Sequence, residues 1–455
     1  MKVQAYILSL LKKTPFNDVV KDSDNLEIIK GTGTTLSLKI GGLIFSYIFH
    51  ILFARLYGAE VMGIFALAIT VAGIFSLFGQ MGTDTSLVRF IAQYSGQGNY
   101  RAVKEIYKKI IELVLPASIF FSVLFYITSP WIANYIFHNH RLIIPFKITA
   151  FVLPFGALMG VNTASLRGLK KIKEAFIFST ALPPVLNTVG LMGLTYFVFK
   201  SYLTPIYVNL ITVFIGASYS LILWKKQSSK LFISKNDSDN IPDKKEIIKV
   251  SIPMSVTSAM VFIMGWTDIF MLGIFRNTIE VGIYRIALKL ALTIGFVYIA
   301  VNSITSPKFA EIYWNAKSNR LKSLVKFSGK IALCLAIPLF LILVVLGKKI
   351  LIIFGLEFEK GYLAMSILCI GQFVSAVYGV FGYLLNMTGN EKYLMKSITF
   401  AAICNVVLNY FMIQAYGILG ASISTTFSII VMNLFLFYYT RTKLKLVFHV
   451  MFYAY

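Results

Sequence analysis

Apolar runs, each near twenty residues long, follow one another along almost the whole chain. This pattern limits the possible folds more than any other feature. A helix of about 20 residues rises about 30 Å, the thickness of a bilayer's hydrocarbon core. Lipid offers no partner to a free N–H or C=O, so each run must satisfy its own backbone as a helix. Composition agrees: 57% of the residues are hydrophobic and 14% charged, against about 45–50% and about 25% in soluble domains. The expected fold class is an all-α polytopic membrane protein.

The runs predict about a dozen transmembrane helices. In chain order they are 36–55, 61–81, 110–129, 143–163, 175–197, 203–224, 251–274, 281–303, 331–346, 362–385, 395–415 and 418–438. The apolar stretch 350–356 is too short to span and reads as a surface-lying turn. Pro154, the pair Pro183-Pro184, Pro253 and Pro338 fall within spans, where they can bend the helix for gating or serve packing alone.

The net charge of +24 would suit a nucleic-acid partner if it were clustered, but it alternates from loop to loop. One side collects Lys30, Arg89, Arg101, Lys104, Arg167, Lys170, the runs 225–249 and 308–330, and Arg441 and Lys443. The other side holds Arg55, Arg141, Lys200, Arg276, Lys348 and Lys349. A bias of roughly 32 against 8 places the basic side in the cytoplasm by the positive-inside rule. Both termini are then cytoplasmic and the expected location is the cell (inner) membrane, with membrane lipids as partners and no nucleic acid. Val3–Leu11 is short and lacks a cleavage site, so it reads as an interfacial helix rather than a signal peptide.

An internal repeat divides the chain. With Gly63 set on Gly282, Ala68 meets Ala287, Phe90 meets Phe309, Tyr94 meets Tyr313 and Arg101 meets Arg320, without a gap. The expected layout is an N-terminal segment 1–29, a six-helix bundle 30–224, a linker 225–245, a second six-helix bundle 246–440 and a tail 441–455. Six spans per half make the repeats parallel, related by an axis along the membrane normal, with a path for alternating access between them.

Ionisable groups at membrane depth cost about 2.5–3.5 kcal/mol each on insertion scales and therefore face protein or water. Lys39 lies in the first span, His50 nearer its end, Asp268 in the seventh, and Arg285 and Lys289 in the eighth. Four residues apart, Arg285 and Lys289 share a helix face. Such a cationic stripe suits an anionic head group such as a diphosphate. The alternatives are an Asp268–Lys289 pair, or snorkelling of Lys39 and Arg285 to the headgroups. Asp268 is thus a candidate either for ion coupling or for charge pairing. A lone His50 reads as structural.

Signatures of enzyme chemistry are missing from the sequence. Gly31-Thr32-Gly33 leads into a helix without the GK[ST] of a phosphate loop, and there is no G-x-S-x-G or H-E-x-x-H. Cys334, Cys369 and Cys404 sit singly inside spans, with no disulfide or metal spacing. No cofactor, metal or catalytic residue is expected.

Several segments resemble the polysaccharide, or oligosaccharide-lipid, flippases of the MATE-like exporter superfamily. They are the segment from Ala54 to Phe65, Gly82 to Arg89, Asp268 to Gly273 followed by Val281 to Tyr284, Phe354 to Phe358, and Leu384 to Lys392 around Gly389. The resemblance covers nearly the whole chain after residue 30. It implies V-shaped bundles around a central cavity lined by spans one, two, seven and eight. It further implies translocation of a polyprenyl-diphosphate-linked oligosaccharide from the cytoplasmic to the outer leaflet. Lys39, Arg285 and Lys289 are the residues expected to meet the diphosphate and glycan. H+ or Na+ would be the coupling ion, and polysaccharide polymerases would be assembly partners. The alternative of the same fold is a MATE-type drug or cation antiporter, which favours an acidic lumen where this chain has a cationic surplus.

Overall fold

The structure is a computed structural model that describes residues 23–198, 200–231, 241–314 and 318–444. The expected interfacial helix at 3–11, the middle of the linker (232–240) and the tail from 445 onwards lie outside the described residues.

Among the described residues the chain is helical and contains no strand. It begins with α1 (Ser23–Gln80), α2 (Thr83–Gly96) and α3 (Tyr100–Trp131). After a π turn and a 3-10 turn come α4 (Ile143–Ala150), α5 (Val152–Gly168), α6 (Ile172–Phe176), α7 (Leu182–Phe197) and α8 (Thr204–Ser228). Beyond the linker follow α9 (Lys244–Phe275), α10 (Thr278–Trp314), α11 (Ser318–Val345) and α12 (Gly347–Ile352). The chain closes with α13 (Tyr362–Tyr378), α14 (Val380–Met387), α15 (Glu391–Tyr416) and α16 (Ile418–Lys443).

Ten described helices are long and apolar enough to cross a bilayer, or eleven if the pair 140–150 and 152–168, bent by 41°, is one span. This count differs from the expected dozen because Leu38–Gln80 is a single run of 43 residues, about 65 Å long at 1.5 Å per residue. That run is not straight. Gly58, at φ 76 and ψ −179, breaks the helix between the first two expected spans. A side chain there would be strained by the left-handed φ, so glycine is required.

Proline chemistry explains the break before α7. Pro183 and Pro184 open α7 directly after a π turn at Ile177–Ala181. A proline donates no hydrogen bond and its ring crowds the carbonyl four residues back, so the ladder widens just before it. Asn99 caps α3 by accepting from Ala102 N at 3.0 Å, and Asp243 caps α9 by accepting from Glu246 N at 2.7 Å.

The apolar side chains divide in two. Phe53, Met62, Leu67, Tyr284, Phe354 and Phe358 are fully buried and form part of one continuous core. Many others point outward, among them Phe120, Ile127, Phe197, Val345 and Phe411, all more than 60% exposed. A water-facing surface does not tolerate so much exposed large apolar area, whereas lipid does. The chain is a multi-pass membrane protein. The stretch 350–356 is not merely surface-lying. It belongs to α12 and the following turn, with Leu351 and Phe354 anchored in the core and Ile353 and Leu356 exposed.

Candidate functional site

The site forms where α1 crosses α10 and α9 lies beside both. The crossing is close because of two glycines. A Cβ on Gly63 would lie 1.8 Å from Thr278 O and 3.1 Å from Gly282 N. A Cβ on Gly282 would lie 2.0 Å from Ala59 O and 3.0 Å from Gly63 N. The relation is reciprocal: each glycine meets the other's amide and the carbonyl four residues before it. The same end carries two further bridges. Arg55 donates from Nε to Ile353 O at 2.7 Å, and Glu357 accepts from Ala59 N at 2.6 Å. Glu357 thereby caps the helix that restarts after Gly58.

Further along the crossing lie the predicted cations. Lys289 donates to Ser46 Oγ at 2.7 Å, and its Nζ stands 5.2 Å from the Tyr47 ring centre. Tyr47 OH donates to Lys289 O at 3.0 Å and hydrogen-bonds Thr293 Oγ1. One helical turn away, the Arg285 guanidinium lies 4.6 Å over the Trp266 ring, a cation–π arrangement. Both cations are half-buried, and among the described residues neither makes an ion pair. Two half-buried positive charges held by neutral groups have the chemistry to attract an anion.

Lys39 is not part of this cluster. Its Nζ lies 4.9 Å over the Phe176 ring of α6. It is seven residues before Ser46, on the same helix face but about 10 Å along the axis. His50 continues that face, with Nδ1 2.7 Å from Ser46 O and its ring edge-on to Phe49.

Asp268 faces elsewhere. It is 1% exposed and points towards α15 and α16. Tyr284 OH donates to Oδ2 at 2.6 Å, Thr425 Oγ1 to Oδ2 at 2.6 Å, and Asn409 Nδ2 to Oδ1 at 2.7 Å. Asn405 completes the cluster through Asn409 and Thr425. All these partners are neutral, so the carboxyl is hydrogen-bonded rather than ion-paired with Lys289. Asn409 Oδ1, also buried, has no partner among the described residues. The sequence held one signal for this cluster that went unread. Asn405 and Asn409 are two amides one turn apart inside an apolar span, and lipid would leave both unsatisfied. Ser46, Tyr47 and Trp266 carried no comparable signal.

Residues 28–313 match the polysaccharide biosynthesis protein family, and 253–411 also match the MatE family. The chain belongs to the polysaccharide biosynthesis protein family. Among similar proteins, a probable low-salt glycan biosynthesis flippase of Haloferax volcanii is 23% identical over 83% of this chain and 75% of its own length. A candidate O-antigen transporter of Shigella flexneri is 23% identical over 85% and 92%. The fold matches a lipid II flippase in an inward closed conformation, with TM-score 0.71 at 16% identity, covering 91% of this chain and 88% of that one. It matches an inward-facing multidrug MATE transporter equally well, at 0.71 and 14% identity over 91% and 98%.

Proposed function

We propose that this protein is a flippase that moves a polyprenyl-diphosphate-linked oligosaccharide, a precursor of surface polysaccharide, from the cytoplasmic to the outer leaflet. The observation that carries the reading is the Arg285–Lys289 pair, held at membrane depth by Trp266, Tyr47 and Ser46 without an ion partner among the described residues. Family membership and the flippase and transporter names of its relatives support it. Arg285 and Lys289 bind the diphosphate, and Lys39 meets it or the glycan as the cavity is entered. No covalent step is involved and the protein is not an enzyme.

The layout belongs to the proposal. Dividing Leu38–Gln80 at Gly58 and taking the bent pair as one span gives twelve spans, six in 30–224 and six in 246–440, joined by 225–245. The reciprocal Gly63–Gly282 contact supports a two-fold relation between the halves, because repeat-equivalent residues meet across their own axis. Both termini then lie on the cytoplasmic side of the inner membrane. Asp268 serves the ion that couples transport, H+ or Na+, because a buried carboxyl ringed by hydroxyls and amides can hold either. A polysaccharide polymerase would receive the product.

The test is reconstitution in liposomes with a fluorescent lipid-linked oligosaccharide, whose exposure in each leaflet is read by a membrane-impermeant quencher. Wild-type protein is expected to exchange the leaflets, and Lys289→Ala or Arg285→Ala to slow exchange at least tenfold while inserting normally. Absence of exchange by wild-type protein, together with export of lipophilic cations, would establish the MATE-type antiporter instead.

A further inference from the structure

Beyond the cations, α9 presents a stripe that the diphosphate does not use. Ser251, Ser255, Ser258, Phe262 and Trp266 recur at spacings of three and four, so they share one helix face. Phe262 and Trp266 have parallel rings, 16° apart in plane and 5.8 Å between centres. Trp266 carries Arg285 on its ring. The facing wall is the second part of α1 and the start of α2. There Gly73 lets the Phe262 ring in, since a Cβ at Gly73 would stand 2.6 Å from it. Between the walls is a cavity of about 180 Å³, lined by Ser76, Gln80, Asp84, Ser255, Ser258 and Phe262. Its far end is closed where Ser86 and Ser251 hydrogen-bond at 2.6 Å and Gly82 packs on Ser255.

We propose that this cavity is the sugar subsite of the transporter, holding the diphosphate-proximal sugars with Phe262 as their platform. The inference rests on the flippase reading above. A sugar ring has an apolar C–H face and a rim of hydroxyls, each both donor and acceptor. The cavity offers the matching chemistry: an aromatic ring, serine hydroxyls and an amide that also donate and accept, and one carboxylate acceptor. Ser76 and Gln80 are held ready by their own 2.8 Å hydrogen bond. The line from Arg285 through Trp266 and Phe262 to Ser258 is continuous. From Trp266 to Ser258 it runs about 12 Å along the helix, so a diphosphate on the cations directs its first sugars into this space. A lipophilic cation fits less well, because a guanidinium already occupies the Trp266 ring and Lys289 stands nearby.

The experiment is equilibrium binding to the full chain in lipid nanodiscs. The two probes are undecaprenyl diphosphate and the same lipid bearing N-acetylglucosamine. Wild-type protein is expected to prefer the sugar-bearing lipid by roughly tenfold, the worth of one or two well-made polar contacts and a stacked ring. Phe262→Leu and the double variant Gln80→Ala/Ser258→Ala should bring that preference to near one and leave the bare lipid's affinity unchanged. Phe262→Tyr should keep it, and Lys289→Ala should weaken both lipids alike. The subsite is overturned if the bare lipid binds but the sugar adds nothing. It is also overturned if the cavity variants weaken both lipids equally, or if tetraphenylphosphonium binds there in an Asp84-dependent way. Failure of wild-type protein to bind either lipid overturns the flippase reading itself.

Discussion

Gly282→Ala replaces one hydrogen by a methyl group, yet it should move two helices. The new Cβ would stand 2.0 Å from Ala59 O, 2.8 Å from Ala59 C and 3.0 Å from Gly63 N. All three are backbone atoms, so no side chain can turn aside. Relief requires α1 and α10 to separate by at least about 1 Å. Overpacking of this kind costs about 1–3 kcal/mol. The cost falls only on the arrangement in which the two glycines touch, so the equilibrium shifts towards separated helices by about five- to 150-fold. Thr278→Cys, in a background of Cys334→Ser and Cys404→Ser, reports the opening. Thr278 is 8% exposed at this crossing, and Cys369, the remaining native cysteine, is buried. The rate at which a maleimide modifies Thr278→Cys in detergent solution should rise by the same factor when Gly282→Ala is added. Gly265→Ala is the control, since a Cβ at Gly265 meets nothing within 4 Å. An unchanged labelling rate in a folded Gly282→Ala protein would refute the reasoning, because the crossing would then have absorbed the clash without opening.

Other outcomes follow from single contacts. Asp268→Ala strips the acceptor from Tyr284, Thr425 and Asn409 and should lower stability by about 1–3 kcal/mol, seen as a lower melting temperature. Asp268→Asn should recover most of that stability while abolishing any dependence of transport on an imposed H+ or Na+ gradient. Glu357→Ala removes the cap on Ala59 N and should cost about 1 kcal/mol, with faster labelling of Thr278→Cys. Arg285→Lys keeps the charge but loses the planar stack on Trp266, so diphosphate affinity should fall less than in Arg285→Ala.

Sequence reasoning reached the fold because bilayer thickness and backbone satisfaction leave few solutions. Ten of the expected spans correspond closely to observed helices or bent pairs of helices, and the first two meet at Gly58 within one long run. It also placed Gly63 on Gly282, and the structure puts these two residues in contact. Arg285 and Lys289 were legible because a charge at membrane depth is conspicuous. Their surroundings were not. Ser46 and Tyr47 are unremarkable residues in an apolar helix, and only the crossing of α1 and α10 brings them to Lys289. Asp268 shows the limit most clearly. Chain order put it near the cations, but its helix face turns it towards Asn409 and Thr425, 141 and 157 residues away. Depth can be read from spacing, but facing requires knowing the neighbour.

The contacts at the site also suggest how binding and opening are joined. In the present arrangement Lys289 donates to Ser46, and Tyr47 bonds Lys289 O and Thr293. These bonds tie α1 to α10, the same two helices that close on Gly63 and Gly282. On the proposed reading, a diphosphate on Lys289 would compete with Ser46 for the ammonium, so substrate would replace one of the ties across the crossing. Binding would then weaken the α1–α10 contact in proportion to its hold on Lys289. Ser46→Ala separates the two effects. It removes the tie without removing the cation, and should speed Thr278→Cys labelling in the absence of substrate while keeping diphosphate affinity. If Ser46→Ala instead lowered that affinity as Lys289→Ala does, Ser46 would be a ligand of the substrate and not its competitor.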